Sequence, residues 1–238
     1  SFSRRNKAGG LLASVLSSDK KGSCYMRSIK IVGATVLALF ALSVAASSAL
    51  ANEWVAKEYP VRVTANQKSG EKTKFTVGSN APVECEKTEY KSAEPEFLTK
   101  AGLTILFGPV YSSCVAFGFI GVEITVLKGF LILLTWNGSK LNVALKQSAG
   151  TSGGLITIII KAVGCEITVP TGQEFTEGAS AKNIAGGKIE AEFSIKKIKY
   201  TSNEKGTGCP KNGEEAVFSG KDVAEGFNSE GAADGIEI

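Results

Sequence analysis

Short runs of alternating apolar and polar residues recur along the chain from residue 52, separated by clusters of glycine, proline, asparagine and serine. This alternation is typical of half-buried β-strands, because successive side chains of a strand point to opposite faces. Runs of this kind, with few helical periods, predict an all-β sandwich or barrel, and we favour a β-sandwich or jelly-roll-like domain. The predicted strands are residues 61–65, 73–77, 83–90, 103–107, 122–127, 130–136, 140–145, 155–160, 166–169, 188–200 and 216–219.

Two local patterns add detail to this prediction. Asn137-Gly138 separates two strand-like runs, and this dipeptide is the most typical turn of a two-residue hairpin because both positions accept a positive φ. Residues 121–129 (GVEITVLKG) are echoed 43 positions later by residues 164–172 (GCEITVPTG). The echo is a candidate for two related strands in a duplicated half, although one nine-residue match does not establish a repeat.

An apolar run without charge occupies residues 31–46 and comes after a basic segment that begins at Met26. Small residues then lead to Ala49-Leu50-Ala51. A basic start, an apolar middle and a small-residue end are the three parts of a secretory signal peptide. We therefore predict a signal-peptide helix over residues 26–51 with cleavage after Ala51, and export of the chain from Asn52 onward.

Alternatives to this interpretation concern the membrane. An uncleaved anchor at residues 31–46 would keep the protein attached, and residues 102–122, which also carry no charge, are a second candidate span. Glycines and a proline divide this second run into strand, turn and strand, which favours a β structure there. Residues 1–25 show no strand or helix period, and we expect an upstream non-native or disordered segment.

After cleavage, residues 52–238 would form a single all-β domain whose segment beyond Ser219 is a loose strand and tail. The whole chain has a formal charge of +4, but residues 52–238 keep 20 basic and 22 acidic residues, a net charge of −2. The basic excess therefore belongs to the leader. Without it the domain lacks the positive surface that nucleic-acid binding requires, so we expect no nucleic-acid partner.

Four cysteines lie beyond the predicted cleavage site: Cys85, Cys114, Cys165 and Cys209. In an exported chain they predict two disulfides, with three connectivities open. Cys85 and Cys165 alternate in phase with apolar neighbours, which places both on the buried face of a strand. We favour Cys85 with Cys114 and Cys165 with Cys209. The spacings contain no C-x-x-C pair and the chain contains no histidine, so we expect no metal site.

The missing histidine also removes the usual base of nucleophilic and acid–base catalysis. Carboxylate pairs remain, because glycoside hydrolysis needs only two Asp or Glu about 5 to 10 Å apart. Glu123 and Glu166, on the outward faces of the two echoed strands, are weak candidates for such a pair. Outward glutamates are also the ordinary solvated side chains of a sheet. No cofactor-binding motif is present, and we predict no cofactor.

Several short motifs succeed one another in a set order, namely residues 103–114 (LTILFGPVYSSC), 116–118 (AFG), 165–170 (CEITVP) with Gln173, 198–201 (IKYT), 208–209 (GC) and 218–220 (FSG). Over most of residues 73–226 this order resembles a group of uncharacterised exported β proteins of actinobacteria. Members of that group often carry an additional cysteine pair in the middle, whereas residues 130–160 contain none here. The resemblance implies export, disulfides and a β fold, and it implies no activity.

Together these observations predict an exported, non-catalytic bacterial protein that is secreted or held at the cell surface. We expect it to act as a binding or structural module on a carbohydrate or protein partner, touching the membrane only through its signal segment. The alternatives are a carboxylate-dependent, glycosidase-like hydrolase acting on carbohydrate through Glu123 and Glu166, and a membrane-anchored protein.

Overall fold

The computed structural model describes residues 52–78, 82–93, 97–149, 155–205, 208–212 and 215–238. The expected signal peptide at residues 26–51 and the upstream residues 1–25 lie outside this part of the chain. No helix in the described part is long and apolar enough to cross a membrane. The described strands are β1 Val55–Ala56, β2 Arg62–Gln67, β3 Thr73–Val77, β4 Val83–Ser92, β5 Thr104–Ala116, β6 Ile120–Val126, β7 Phe130–Asn137, β8 Lys140–Gln147, β9 Leu155–Ile160, β10 Cys165–Pro170, β11 Gln173–Ile184, β12 Lys188–Ile198, β13 Thr201–Ser202, β14 Ala216–Phe227 and β15 Ile236–Glu237.

Eight of these strands close into a barrel. In the order β2, β4, β5, β7, β8, β11, β12, β14, each strand pairs antiparallel with the next, and β14 pairs with β2 to complete the ring. Alternate residues point inward, as along β7, where Ile132, Leu134 and Trp136 are buried. The all-β prediction is confirmed. The sandwich or jelly-roll expectation is corrected to a closed barrel, because alternation marks the buried face equally in both architectures.

One position in the barrel wall is shared by two strands. The first half of β14, from Ala216 to Ser219, pairs with β3, whereas its second half, from Asp222 to Phe227, pairs with β2. On the other side, β4 likewise pairs with both β2 and β3. β2 and β3 therefore run in the same direction as two halves of one wall strand, and residues 68–72 connect them outside the ladder.

A second, four-stranded sheet leaves the barrel at the end of β5. There β5 pairs with β6, which continues through β9 and β10 to β13. We call β6, β9, β10 and β13 the cap sheet. Its apolar side chains, including Ile156, Ile158 and Val169, line an interior cavity together with barrel residues such as Phe193. The cap sheet therefore covers part of the barrel core and does not form a separate domain.

Two disulfides are formed, with the pairing expected from the sequence. Cys85 of β4 and Cys114 of β5 are directly opposite each other in the barrel wall and are bonded. Cys165, at the start of β10, is bonded to Cys209. The first disulfide therefore lies within the barrel, and the second ties the cap sheet to the segment that precedes β14.

The segment after Ser219 corrects the expectation of a loose tail. β14 continues through it to Phe227, and its side chains include the buried Asp222 and Ala224. Farther on, Ile236 of β15 pairs with Ala56 of β1 and is only 2% exposed. β14 and β15 are therefore part of the paired strands of the domain, and Ile236 lies in its core.

Candidate binding groove

A groove opens on the barrel surface where β11 and β12 separate. The two strands pair from Ile184–Lys188 as far as Ala179–Phe193, and beyond that point β11 pairs only with β8. On its other side β12 stays paired with β14. The wall between the two strands is consequently left unlinked over several residues, and the groove that results has a volume of about 830 Å³.

The groove walls contain two residues with unusual backbone conformations. Glu177 on β11 has φ 55° and Lys197 on β12 has φ 63°, both in the left-handed region. For a residue other than glycine this conformation costs about 1 to 3 kcal/mol and persists only where the surrounding structure enforces it. The β11–β8 ladder shifts register between Phe175 and Ala179, which forms a bulge. The Glu177 amide donates a hydrogen bond to Asn142 Oδ1 at 3.1 Å, which helps to hold this bulge. Such strain is concentrated at functional sites in proteins.

Gln173 closes one end of the groove. Its side-chain Nε2 donates to the Lys199 carbonyl at 2.9 Å, and the Lys199 amide donates to Gln173 Oε1 at 2.7 Å. The side-chain amide thus makes the pair of hydrogen bonds that a neighbouring strand would make. At the opposite end the groove is limited by the last ladder pair, Ala179 with Phe193.

Positive charge dominates the rim of the groove. Lys196, Lys197 and Lys199 line it, and all three are exposed. Among the described residues no carboxylate forms an ion pair with any of them. Glu174 on the opposite wall is bound by Lys146 at 2.6 Å, and this hydrogen bond lowers the pKa of the Glu174 carboxyl. The groove lining therefore contains three unpaired lysines and two glutamates. Glu174 is neutralised by Lys146, whereas the exposed Glu177 has no ion pair among the described residues, so the lysines still exceed the un-neutralised carboxylates by two.

The remaining lining combines an aromatic ring with short polar groups. Phe175 is half-buried on the β11 wall, and Thr176 and Ser194 expose hydroxyl groups beside it. Phe175 also lines the interior cavity beneath the cap sheet, so that its ring lies between that cavity and the groove. An apolar surface with a few polar groups and fixed charges is the usual composition of a binding site.

The two candidate carboxylates lie elsewhere, on the outer face of the cap sheet. Glu123 of β6 and Glu166 of β10 are both register partners of Ile159 of β9, one on each side. Two strand spacings place their Cα atoms about 10 Å apart. Glu123 is bound by Lys161 at 2.6 Å and its side chain is 53% exposed, and Glu166 is exposed as well. The structure thus brings the pair onto one face, away from the groove, and their catalytic role stays a prediction.

Sequence analysis missed the groove, although one signal marks it. Along residues 188–200 the buried positions fall on odd numbers as far as Ile195 and on even numbers from Ile198. This change of phase places Lys196 and Lys197 side by side on the surface, as a β-bulge does. β11 itself gave no such signal, because residues 173–184 contain few β-branched residues.

Comparison of the chain with protein-family models, curated proteins and solved structures gave no significant match. The function is therefore inferred from the geometry and chemistry of the described residues.

Proposed function

We propose that this protein is an exported, non-catalytic binding module that holds an acidic polysaccharide in the groove between β11 and β12. The observation that supports this most is the set of three unpaired lysines, Lys196, Lys197 and Lys199, on one groove rim. The domain beyond residue 51 has a net charge of −2, so this concentration of positive charge is local. A local patch attracts an anionic chain and orients it along the groove.

The shape and lining of the groove favour a sugar polymer among anionic ligands. A groove of about 830 Å³ has room for a few sugar residues of a polymer. The half-buried ring of Phe175 offers an apolar surface for a sugar face, and the Thr176 and Ser194 hydroxyls offer hydrogen bonds.

The disulfides support an extracellular setting. Cys85–Cys114 and Cys165–Cys209 are typical of an oxidising compartment outside the cytosol. Together with the predicted signal peptide, they support secretion from a bacterial cell or retention at its surface. At that location an acidic polysaccharide is an accessible partner for a protein with a local basic groove.

A binding experiment with two matched triple variants tests the proposal. We expect the wild-type protein to bind polygalacturonate, a uronic acid polymer, and not neutral dextran, with an affinity that falls as salt rises. Replacing Lys196, Lys197 and Lys199 by glutamine should weaken binding about tenfold, because each exposed charge contact contributes roughly 0.5 kcal/mol and 1.4 kcal/mol is a factor of ten. The control replaces three exposed lysines outside the groove, Lys100, Lys128 and Lys140. Equal losses in both variants, or no binding by the wild type, would contradict the proposal.

The same mixtures separate this function from the hydrolase alternative. A binding module leaves the number of reducing ends in the polysaccharide constant over time. New reducing ends that disappear in Glu123→Gln or Glu166→Gln would instead support carboxylate-dependent hydrolysis on the cap sheet. Both glutamates lie outside the groove, so these variants should bind polygalacturonate as the wild type does.

A further inference from the structure

A carboxyl group without a partner lies inside the barrel. Asp222 points inward from β14 and is 1% exposed. Neither of its side-chain oxygens has a hydrogen-bond partner within the described part of the chain. Buried polar groups in proteins are almost always hydrogen-bonded, because an unmet group keeps its full desolvation cost. An unpartnered interior carboxyl is therefore an indication that something else binds there.

Aromatic rings surround this carboxyl. It lines a small cavity of about 20 Å³ whose wall includes the rings of Trp54, Tyr90, Phe107 and Phe193. The Tyr90 ring centroid lies 6.4 Å from that of Phe107 and 6.3 Å from that of Phe193. Ring faces carry partial negative charge and attract cations within about 6 Å. A buried carboxyl among aromatic rings is a chemical environment that favours an ammonium group.

A second, apolar cavity adjoins the first beneath the cap sheet. Its volume is about 60 Å³, and Tyr90, Ile132 and Phe193 line both cavities. This volume has room for roughly four to six non-hydrogen atoms, since one water molecule needs about 10 to 15 Å³. Phe175 lines this cavity and also the surface groove, which gives an entry route past a half-buried ring.

We propose that the barrel interior binds a short primary alkylammonium ion, with its nitrogen beside Asp222 and its alkyl chain in the apolar cavity under the cap sheet. Phe193 is one of three side chains that line both cavities, and the proposed binding requires it to move so that the alkyl chain can reach from one cavity to the other. The ammonium donates hydrogen bonds to the carboxylate and faces the surrounding rings. The interior site needs no ligand in the groove.

Titration of the purified, oxidised protein with n-butylammonium tests the site, with n-butanol as the neutral analogue. Binding is followed by tryptophan fluorescence, because Trp54 lines the carboxyl cavity, and by the increase in melting temperature. We expect saturable binding of the ammonium, at least tenfold weaker in Asp222→Asn, and n-butanol binding that the substitution leaves unchanged. Asp234→Asn, which changes an aspartate outside both cavities, should bind as the wild type does.

A second variant keeps the test independent of the carboxyl. Ala191→Val adds two methyl groups to the wall of the carboxyl cavity and leaves Asp222 in place, so it should also abolish ammonium binding. Circular dichroism confirms that each variant folds, and the intact mass before and after reduction confirms that both disulfides are formed. Equal affinity for n-butanol and n-butylammonium, or no saturable response to the ammonium in the wild type, would overturn the proposal. The first of these results would identify a plain apolar cavity.

Discussion

Glu123 and Glu166 lie opposite the same residue, Ile159, from the two sides of β9. The register match continues over the next three positions, so that the two copies of the sequence Glu-Ile-Thr-Val flank β9 in identical alignment. The echo found in the sequence is thus a pair of parallel strands with a common antiparallel neighbour. Its repeated pattern is explained by pairing with one strand and does not require a duplicated half of the domain.

This symmetry of register hides a difference in burial that can be measured. Ile124 of β6 and Ile167 of β10 both pair with Ile158, but Ile167 is 2% exposed whereas Ile124 is only half-buried. We expect Ile167→Ala to lower the free energy of unfolding by about 3 kcal/mol, within the range for buried isoleucine. Ile124→Ala, the matched control, should cost clearly less. Urea denaturation of both variants checks this, and equal losses would contradict the unequal burial.

Asp222 should make stability fall as the pH rises. Burial raises the pKa of its carboxyl to about 7 from the ordinary value of 3.8. Between these values the folded protein keeps a proton that the unfolded chain has released, so the free energy of unfolding decreases with pH and levels off above about 7. From pH 5 to pH 8 the free energy of unfolding falls by about 3 kcal/mol, because the decline covers only the two pH units below the pKa of about 7, at 1.36 kcal/mol each.

Asp222→Asn removes this titration, so the variant should lose the decline and exceed the wild type in stability at pH 8. The nearby titratable groups are the phenols of Tyr90 and Tyr111, whose pKa values are raised by burial and which stay neutral in this range. Glu190 stays ionised throughout, because hydrogen bonds from Lys68 and Lys182 lower its pKa to about 2. Urea denaturation at each pH gives the comparison, and parallel pH profiles for the two proteins would refute the interpretation.

Gly226 should not tolerate even one additional methyl group. A Cβ at this position would lie 2.6 Å from Ile236 Cγ2 and 2.9 Å from Val61 Cγ2. We expect Gly226→Ala to destabilise the fold by about 1 to 3 kcal/mol, as overpacked cores do. Gly121→Ala on β6 is the control, because a Cβ there meets nothing within 4 Å. Thermal melts compare the two, and a neutral Gly226→Ala would show that β15 does not pack against β14.

Removing either disulfide should lower the free energy of unfolding by several kcal/mol. The lengths of the two closed loops alone will not decide which loss is larger. The bridges Cys85–Cys114 and Cys165–Cys209 span 29 and 44 residues, for which the chain-entropy account gives about 3.6 and about 4 kcal/mol. Cys85 and Cys114 are both buried, whereas Cys209 is half-exposed. Replacement of the first pair by alanine therefore also opens space in the core. We expect the first double variant to be at least as destabilised in urea as the second, and a clearly smaller loss would contradict this.

The strands could be predicted from the sequence better than their arrangement. The bounds of β3 and β9 agree with the predicted residues 73–77 and 155–160, and the β7–β8 hairpin forms with its turn at Gly138 and Ser139, one residue later than predicted. β11 could not be predicted, because ladder pairing with β8 and β12 supports a polar, glycine-containing segment that has little strand propensity of its own.

Barrel closure and the packing of the C-terminal strands could not be predicted from the sequence for a related reason. Closure depends on which distant strands pair, and local alternation carries no information about that. The small inward residues Ala224 and Gly226 made the end of the chain look too poor in apolar groups to pack. They are small because β15 crosses close to β14 there, as the short approach of Ile236 to Gly226 shows.

The shared wall position of β2 and β3 has a practical consequence for protein engineering. Residues 68–72 follow the end of β2 at Gln67, and the chain pairs with β14 again along β3, which begins at Thr73. The Gln67 side chain donates to the Glu71 carbonyl at 2.6 Å. The Lys68 amide still donates to the Lys221 carbonyl at 2.8 Å, so an insertion belongs after Lys68, within residues 69–72. A tag or a small domain grafted there would lengthen a surface loop, and each doubling of loop length costs only about 0.6 kcal/mol.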